Sequence, residues 1–184
     1  LCMHKKVYVA LAADILHEGH IKILKKAASL GKVIVGLLTD EAISEYKKLP
    51  TLNYSKRLSI VSSLRFVHKV VKQSEMDYRP NLRKILPDFV VHGDNWKKGI
   101  LKKSREQVIK ELKKWSGKLV EIPYTKNISS SHIKKEIQKS DNFQLSRVSL
   151  LRRLILSKKI VRVLEAHSAL AGMIAEETQN INLK

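Results

Sequence analysis

Two imidazoles flank a glycine in the run His17-Glu18-Gly19-His20. Their i, i+3 spacing lets both rings face one ligand. A short apolar run, Val7 to Leu11, precedes them. Behind them Ile21, Leu24, Ala27 and Ala28 recur at helical spacing. A strand, a turn carrying glycine and a helix start make an anion site, because free N–H groups and the helix dipole face the ligand. His17 and His20 then sit where they can donate hydrogen bonds to phosphoryl oxygens. A histidine near a helix start is more often an ordinary surface residue, and the flanking strand and helix tip the balance toward phosphate.

Three further stretches hold residues of the right chemistry. Ile128 to Lys134 carries Ser129, Ser130 and Ser131 at an expected helix start. Hydroxyls and free N–H groups there suit phosphates. A plain serine cap is the commoner meaning, but the position after a strand and the partnership with the histidines outweigh it. His92-Gly93-Asp94-Asn95-Trp96 follows an apolar strand directly. Taken alone it is a Gly-Asp turn with a packing tryptophan. Lys47, Lys48 and Arg57 stand in KKLPTLNYSKR. A lysine pair in a loop is usually only solvated. Arg57 is the stronger candidate, because a guanidinium grips phosphate with two parallel bonds.

HEGH is similar to the HxGH motif of the nucleotidyltransferase superfamily, and DILHEGHIKIL resembles the glycerol-3-phosphate cytidylyltransferase branch. His92 to Trp96 resembles the GDDW loop of that branch, which lies by the nucleoside. The Lys-rich loop leading to Arg57 and the serine-rich helix start fit the same pattern. The resemblance spans roughly Val7 to Ile137. It implies CMP transfer from CTP, with Mg²⁺, to a small phosphonate or phosphate acceptor, and release of pyrophosphate. It assigns catalysis to His17, His20, Lys47 and Arg57. It assigns nucleotide binding to Asp14, Gly19, Gly93, Asp94, Trp96, Ser129, Ser130 and Ser131, and no protein ligands to a metal. Catalysis of this kind is positioning plus neutralisation of charge at the pentacoordinate phosphorus. The chain departs from the family in two places. Leu11-Ala12-Ala13-Asp14 stands where Gly-Thr-Phe-Asp is usual, and Tyr124 replaces an arginine ahead of the serine-rich helix. The rivals are an adenylyltransferase of the same superfamily and a degenerate nucleotide-binding domain.

A second resemblance lies near the end. SKKIVRVLEAHSALAGMIAEE is similar to the opening of phosphoenolpyruvate mutase, a TIM-barrel enzyme that makes the C–P bond of phosphonates. Only an entry helix, one strand and one helix are present, whereas a barrel needs about eight such units. The implication is the N-terminal part of a bifunctional phosphonate-biosynthesis protein, with residues 1–139 as the transferase and 140–184 as a linker plus the start of a truncated barrel.

The elements that must position these residues alternate. Strands are expected at Val7 to Leu11, Val33 to Leu38, Lys69 to Lys72, Phe89 to His92 and Leu119 to Ile122. Helices are expected at His20 to Leu30 with Gly31 as C-cap, from Thr39-Asp40 to about Tyr46, and at Tyr54 to Phe66. More follow at Asn81 to Leu86, Ser104 to Trp115, Ser129 to Lys139 and Ser146 to Ser157. Alternation predicts an α/β fold with a doubly wound parallel sheet and ligands at the carboxyl ends of the strands. The resemblance makes that fold Rossmann-like. Cys2 is the single cysteine of 184 residues, which excludes a disulfide framework and a cysteine metal site. A reducing, cytoplasmic compartment is the expectation. No apolar run approaches the ~20 residues of a membrane span, and the short apolar opening is not taken as a signal peptide. The net charge of +19 favours anionic partners. With aromatics at 5% and lysines scattered, small anions fit better than a specific nucleic-acid partner. Assembly into a homo-oligomer is left open.

Overall fold

The computed structural model describes residues 5–97, 101–123, 130, 133, 147–157, 168–169 and 171–172. The chain divides into two units, Leu1–Ser146 and Arg147–Lys184. The expected boundary at 139/140 lies outside the described residues.

The first unit is built on five parallel strands: β1 (Lys6–Leu11), β2 (Lys32–Leu38), β3 (Lys69–Gln73), β4 (Phe89–Gly93) and β5 (Lys118–Ile122). Their order is β3-β2-β1-β4-β5. Helices α1 (Glu18–Ala28), α2 (Asp40–Ser44), α3 (Tyr54–Ser62), α4 (Arg79–Ile85) and α5 (Lys102–Leu112) connect them. The doubly wound parallel sheet expected from the sequence is thus present. Its strands are continuous apolar runs because both faces are covered. Val7, Val9 and Leu11 of β1 pack with Leu24, Val35 and Val61 on one face. Tyr8 and Ala10 pack with Leu82, Trp96 and Val108 on the other.

The register creates the site. β1 pairs with β2 along its whole length, from Lys6↔Lys32 to Leu11↔Leu37. It pairs with β4 only at Val7↔Phe89 and Tyr8↔Val90. Beyond those pairs β1 and β4 part, and a crevice opens at their carboxyl ends. This is the switch point of the sheet, where ligands of such folds sit.

Several ends differ from expectation. α1 begins at Glu18, and its C-cap is Ser29 rather than Gly31. Gly31 serves close approach instead, since a Cβ there would collide with the Lys5 carbonyl. α2 stops at Ser44 and α3 at Ser62. α5 ends at Leu112 and a 3₁₀ turn, Lys113–Trp115, follows.

In the second unit, α6 (Arg147–Ser157) occupies the expected Ser146 to Ser157 helix. The expected strand after it lies outside the described residues, and among the described residues of this unit there is no strand. The barrel start therefore has no support from the fold.

Candidate active site

α1 starts in an unusual way. The N-cap is His17, in extended conformation, and its Nδ1 accepts the Gly19 backbone N–H at 3.2 Å. The His17 N–H in turn donates to His20 Nδ1 at 3.3 Å. This is a reciprocal capping box made of two imidazoles instead of the usual hydroxyl and carboxylate. The expected phosphate site was made of free N–H groups at the helix start. Here the Gly19 N–H is taken by a ring, and His20 N–H donates to the His17 carbonyl at 3.0 Å.

The consequence is a fixed tautomer. A nitrogen that accepts from an N–H carries no proton itself, so each neutral ring bears its proton on Nε2. Neutrality follows from the surroundings. Burial lowers the pKa of His17 from 6.5, with Lys47 adding to it and Glu18 opposing. Burial, then His17 and Lys47, push His20 down to about 4. The rings lie 4.0 Å apart, centroid to centroid, and both line the cleft. Each offers the cleft one neutral N–H donor.

Gly19, Lys47, Gly93 and Ser130 line the same cleft. The Lys47 ammonium lies 5.3 Å from the centroid of the Tyr46 ring, which lines the cleft as well. Ser130 is helical, and its hydroxyl donates to the Ile15 carbonyl at 3.1 Å, which ties this segment to the β1–α1 loop. Ser129, Ser131 and Tyr124 lie outside the described residues.

Four predicted residues do not line the cleft. Arg57, expected to grip phosphate, is fully buried. Its Nε donates to Leu52 O, Nη1 to Ala12 O and Leu38 O, and Nη2 to Asp40 Oδ1 at 2.6 Å. It clamps the ends of β1 and β2 to the 47–53 loop, so it is a positioning residue. Asp14 accepts from the backbone N–H groups of Thr51 at 2.5 Å and Leu52 at 3.4 Å and holds the same loop. Asp94 opens a 3₁₀ turn, Asp94–Lys97, behind β4. Trp96 is fully buried and donates to Glu121 Oε1 at 2.8 Å, so it is a wall behind the site rather than a surface for the nucleoside.

Residues to which the resemblance assigns no role of their own complete the wall. His92 stacks on Trp96 with centroids 3.8 Å apart and planes 8° from parallel. Glu121 pins both Trp96 and Arg105, whose Nε donates to it at 2.8 Å. The Arg105 hydrogen bond is the main cause of a Glu121 pKa lowered to about 2. The signal was present, because an acid inside the apolar run Leu119 to Ile122 needs a partner.

The arrangement can bind and neutralise an anion with two neutral donors and a lysine at the mouth of a doubly wound sheet. Among the described residues no three acids or histidines gather as a metal cage. No helix among them is long and apolar enough to cross a membrane.

Comparison with known proteins agrees with this geometry. The family model described as cytidylyltransferase-like matches residues 12–136. An FAD synthase of Korarchaeum cryptofilum (strain OPF8) is 36% identical over 148 residues, 74% of this chain and 94% of that protein. Glycerol-3-phosphate cytidylyltransferase of Bacillus subtilis (strain 168) is 32% identical over 139 residues, 72% of this chain and 97% of that protein. Among solved structures, the lipopolysaccharide core biosynthesis protein of Thermoplasma volcanium GSS1 superposes with a TM-score of 0.56. It is 24% identical and covers 66% of this chain and 98% of its own, and this likeness shows the fold. With an HxGH pair at the switch point and a family match over most of its length, the chain belongs to the cytidylyltransferase-like family of nucleotidyltransferases.

Proposed function

We propose that this chain transfers CMP from CTP to a small phosphonate or phosphate acceptor and releases pyrophosphate. The observation that carries the reading is the imidazole capping box, which sets two Nε2–H donors on the rim of one cleft. An acceptor oxygen attacks the α-phosphorus in line, and the P–O bond to pyrophosphate breaks. The charge that builds on the equatorial oxygens meets donors already oriented, which is where an enzyme gains most. Lys47 at the rim meets the phosphate chain. Mg²⁺ enters as part of the substrate, on the triphosphate.

The preference for CTP rests on the likeness of Gly93 to Trp96 to the cytidylyltransferase loop and on the glycerol-3-phosphate cytidylyltransferase relatives. The phosphonate acceptor rests on the likeness of residues 157–177 to the opening of a phosphoenolpyruvate mutase. A second reading is favoured by the FAD synthase relatives, the first of them at 36% identity. An adenylyltransferase would use the same two donors.

The test is pyrophosphate release from Mg·CTP or Mg·ATP with a phosphonate, glycerol 3-phosphate or FMN as acceptor. Release with CTP and a phosphonate or phosphate supports the reading. ATP with FMN as the preferred pair replaces it with the adenylyl reading. No release with any pair leaves a nucleotide-binding domain without transfer.

A further inference from the structure

Three histidine rings line the cleft, and they are not alike. His17 and His20 accept at Nδ1 and keep Nε2–H to give. His92 is set the other way round. Its Nδ1 lies 2.7 Å from the Gly93 carbonyl oxygen. A carbonyl only accepts, so Nδ1 carries the proton. Burial disfavours the imidazolium, which leaves the ring neutral and Nε2 a bare acceptor. Among the described residues Nε2 has no hydrogen-bond partner.

Two contacts hold the ring this way round: the Nδ1–H bond to the Gly93 carbonyl fixes which edge meets the backbone, and stacking on Trp96, itself bonded to Glu121, fixes the plane. Val91, Leu101, Ile122 and Tyr78 line the same cleft, and the Tyr78 ring lies 6.4 Å from the His92 ring, centroid to centroid. A bare lone pair repels a phosphate oxygen. It suits a flat, weakly polar group with an N–H at its edge.

We infer that His92 Nε2 accepts a hydrogen bond from the exocyclic amine of the bound nucleobase, and so selects an amino-bearing base over a keto-bearing one. Cytosine and uracil differ in this group and in the proton on the adjacent ring nitrogen, and so do adenine and hypoxanthine. The inference rests on the cleft being a nucleotide site, and not on which bond is made or broken there.

The experiment is equilibrium binding by calorimetry to the full chain, with Mg²⁺ and without acceptor, of CTP against UTP and ATP against ITP. In the wild-type protein the amino member of at least one pair is expected to bind roughly tenfold tighter or better, the scale of one satisfied against one frustrated hydrogen bond. His92→Phe keeps a ring on Trp96 and removes both nitrogens, and the preference should fall to about one. His92→Gln, whose amide oxygen can reach the place of Nε2, should restore part of it. Should His92→Phe fail to fold, His92→Asn carries the same expectation, since its amide N–H can still donate to the Gly93 carbonyl. Long-range ¹H–¹⁵N spectra should show Nδ1–H on His92 and Nε2–H on His17 and His20. Equal binding within both pairs, no binding of any of the four, or a preference untouched in a folded His92→Phe protein overturns the inference. Base preference without pyrophosphate release rejects only the transfer reading, and release without base preference rejects only this one.

Discussion

An imidazole that accepts at one nitrogen can give only at the other, and this makes His17 and His20 both caps and donors. The two roles separate by substitution. His17→Ala removes the cap and the cleft donor together. It should cost about 1 kcal/mol of stability and roughly 10²-fold in kcat. His17→Asn restores an acceptor for the Gly19 N–H but no donor at the place of Nε2. Melting should then return to near the wild-type temperature while kcat stays low. Near-normal turnover in His17→Asn would refute the donor role. The pH dependence follows from the same geometry. The unfolded His20 titrates near 6.5 and the folded one near 4. Between those values the unfolded chain binds more protons, so stability is present above 6.5 and is lost as pH falls toward 4. His17 and His92 are lowered as well and act in the same direction. Melting temperature against pH should show this slope, and His20→Asn should make it shallower. Because the working donors are neutral, kcat should be flat from about pH 6 to 8. A rise toward acid would mean that imidazolium is the active form.

At the scale of elements, what matters is how the loop ends are held. Arg57 reaches across 45 residues to Ala12 and 19 to Leu38. Removing its head group takes an ion-pair partner from Asp40 and leaves three carbonyls facing a buried gap. Arg57→Met should therefore cost about 3–5 kcal/mol, read as a large drop in melting temperature, whereas a phosphate-gripping surface arginine would lose affinity and little stability. The same junction holds Ala13, which is buried with φ near 50°. This left-handed conformation costs a residue with a Cβ about 1–2 kcal/mol, and glycine would lose about 0.5–1 kcal/mol of chain entropy. Ala13→Gly should raise stability by a few tenths to about 1 kcal/mol, and a lower melting temperature would show that packing of the Ala13 methyl outweighs the strain. These residues also show what the sequence could disclose. The place of His17 and His20 at the start of α1 was legible because strand, turn, caps and helix are contiguous. The sheet was legible because apolar runs alternate with amphipathic ones. The burial of Arg57 and Trp96 was not legible, because most of their partners lie far along the chain. Trp96 meets Glu121 25 residues on. Burial of that kind is a property of the fold, and local spacing does not carry it.

At the scale of the whole molecule, two forces oppose each other. The chain carries a net charge of +19, so copies repel. Helix α6 presents Leu151, Ile155 and Leu156 to solvent, at 49%, 58% and 75% exposure. Burying an apolar side chain of this size gains ~1.5–3 kcal/mol, and such a patch favours contact with another surface. At low ionic strength charge repulsion is long-ranged and keeps copies apart. Salt shortens that range to about 8 Å at 0.15 M, while apolar attraction persists. The full chain should therefore self-associate more as salt rises, and a chain ended after Ser146 should not. Sedimentation velocity of both across a salt series checks this, and an increase in mass with salt in the shortened chain would place the sticky surface in the first unit. Every described residue that lines the cleft precedes Arg147. The shortened chain should thus bind CTP as the full chain does. A folded shortened chain that binds CTP roughly tenfold more weakly, a loss of about 1.4 kcal/mol, would make the second unit part of the nucleotide site and move the functional boundary beyond Ser146.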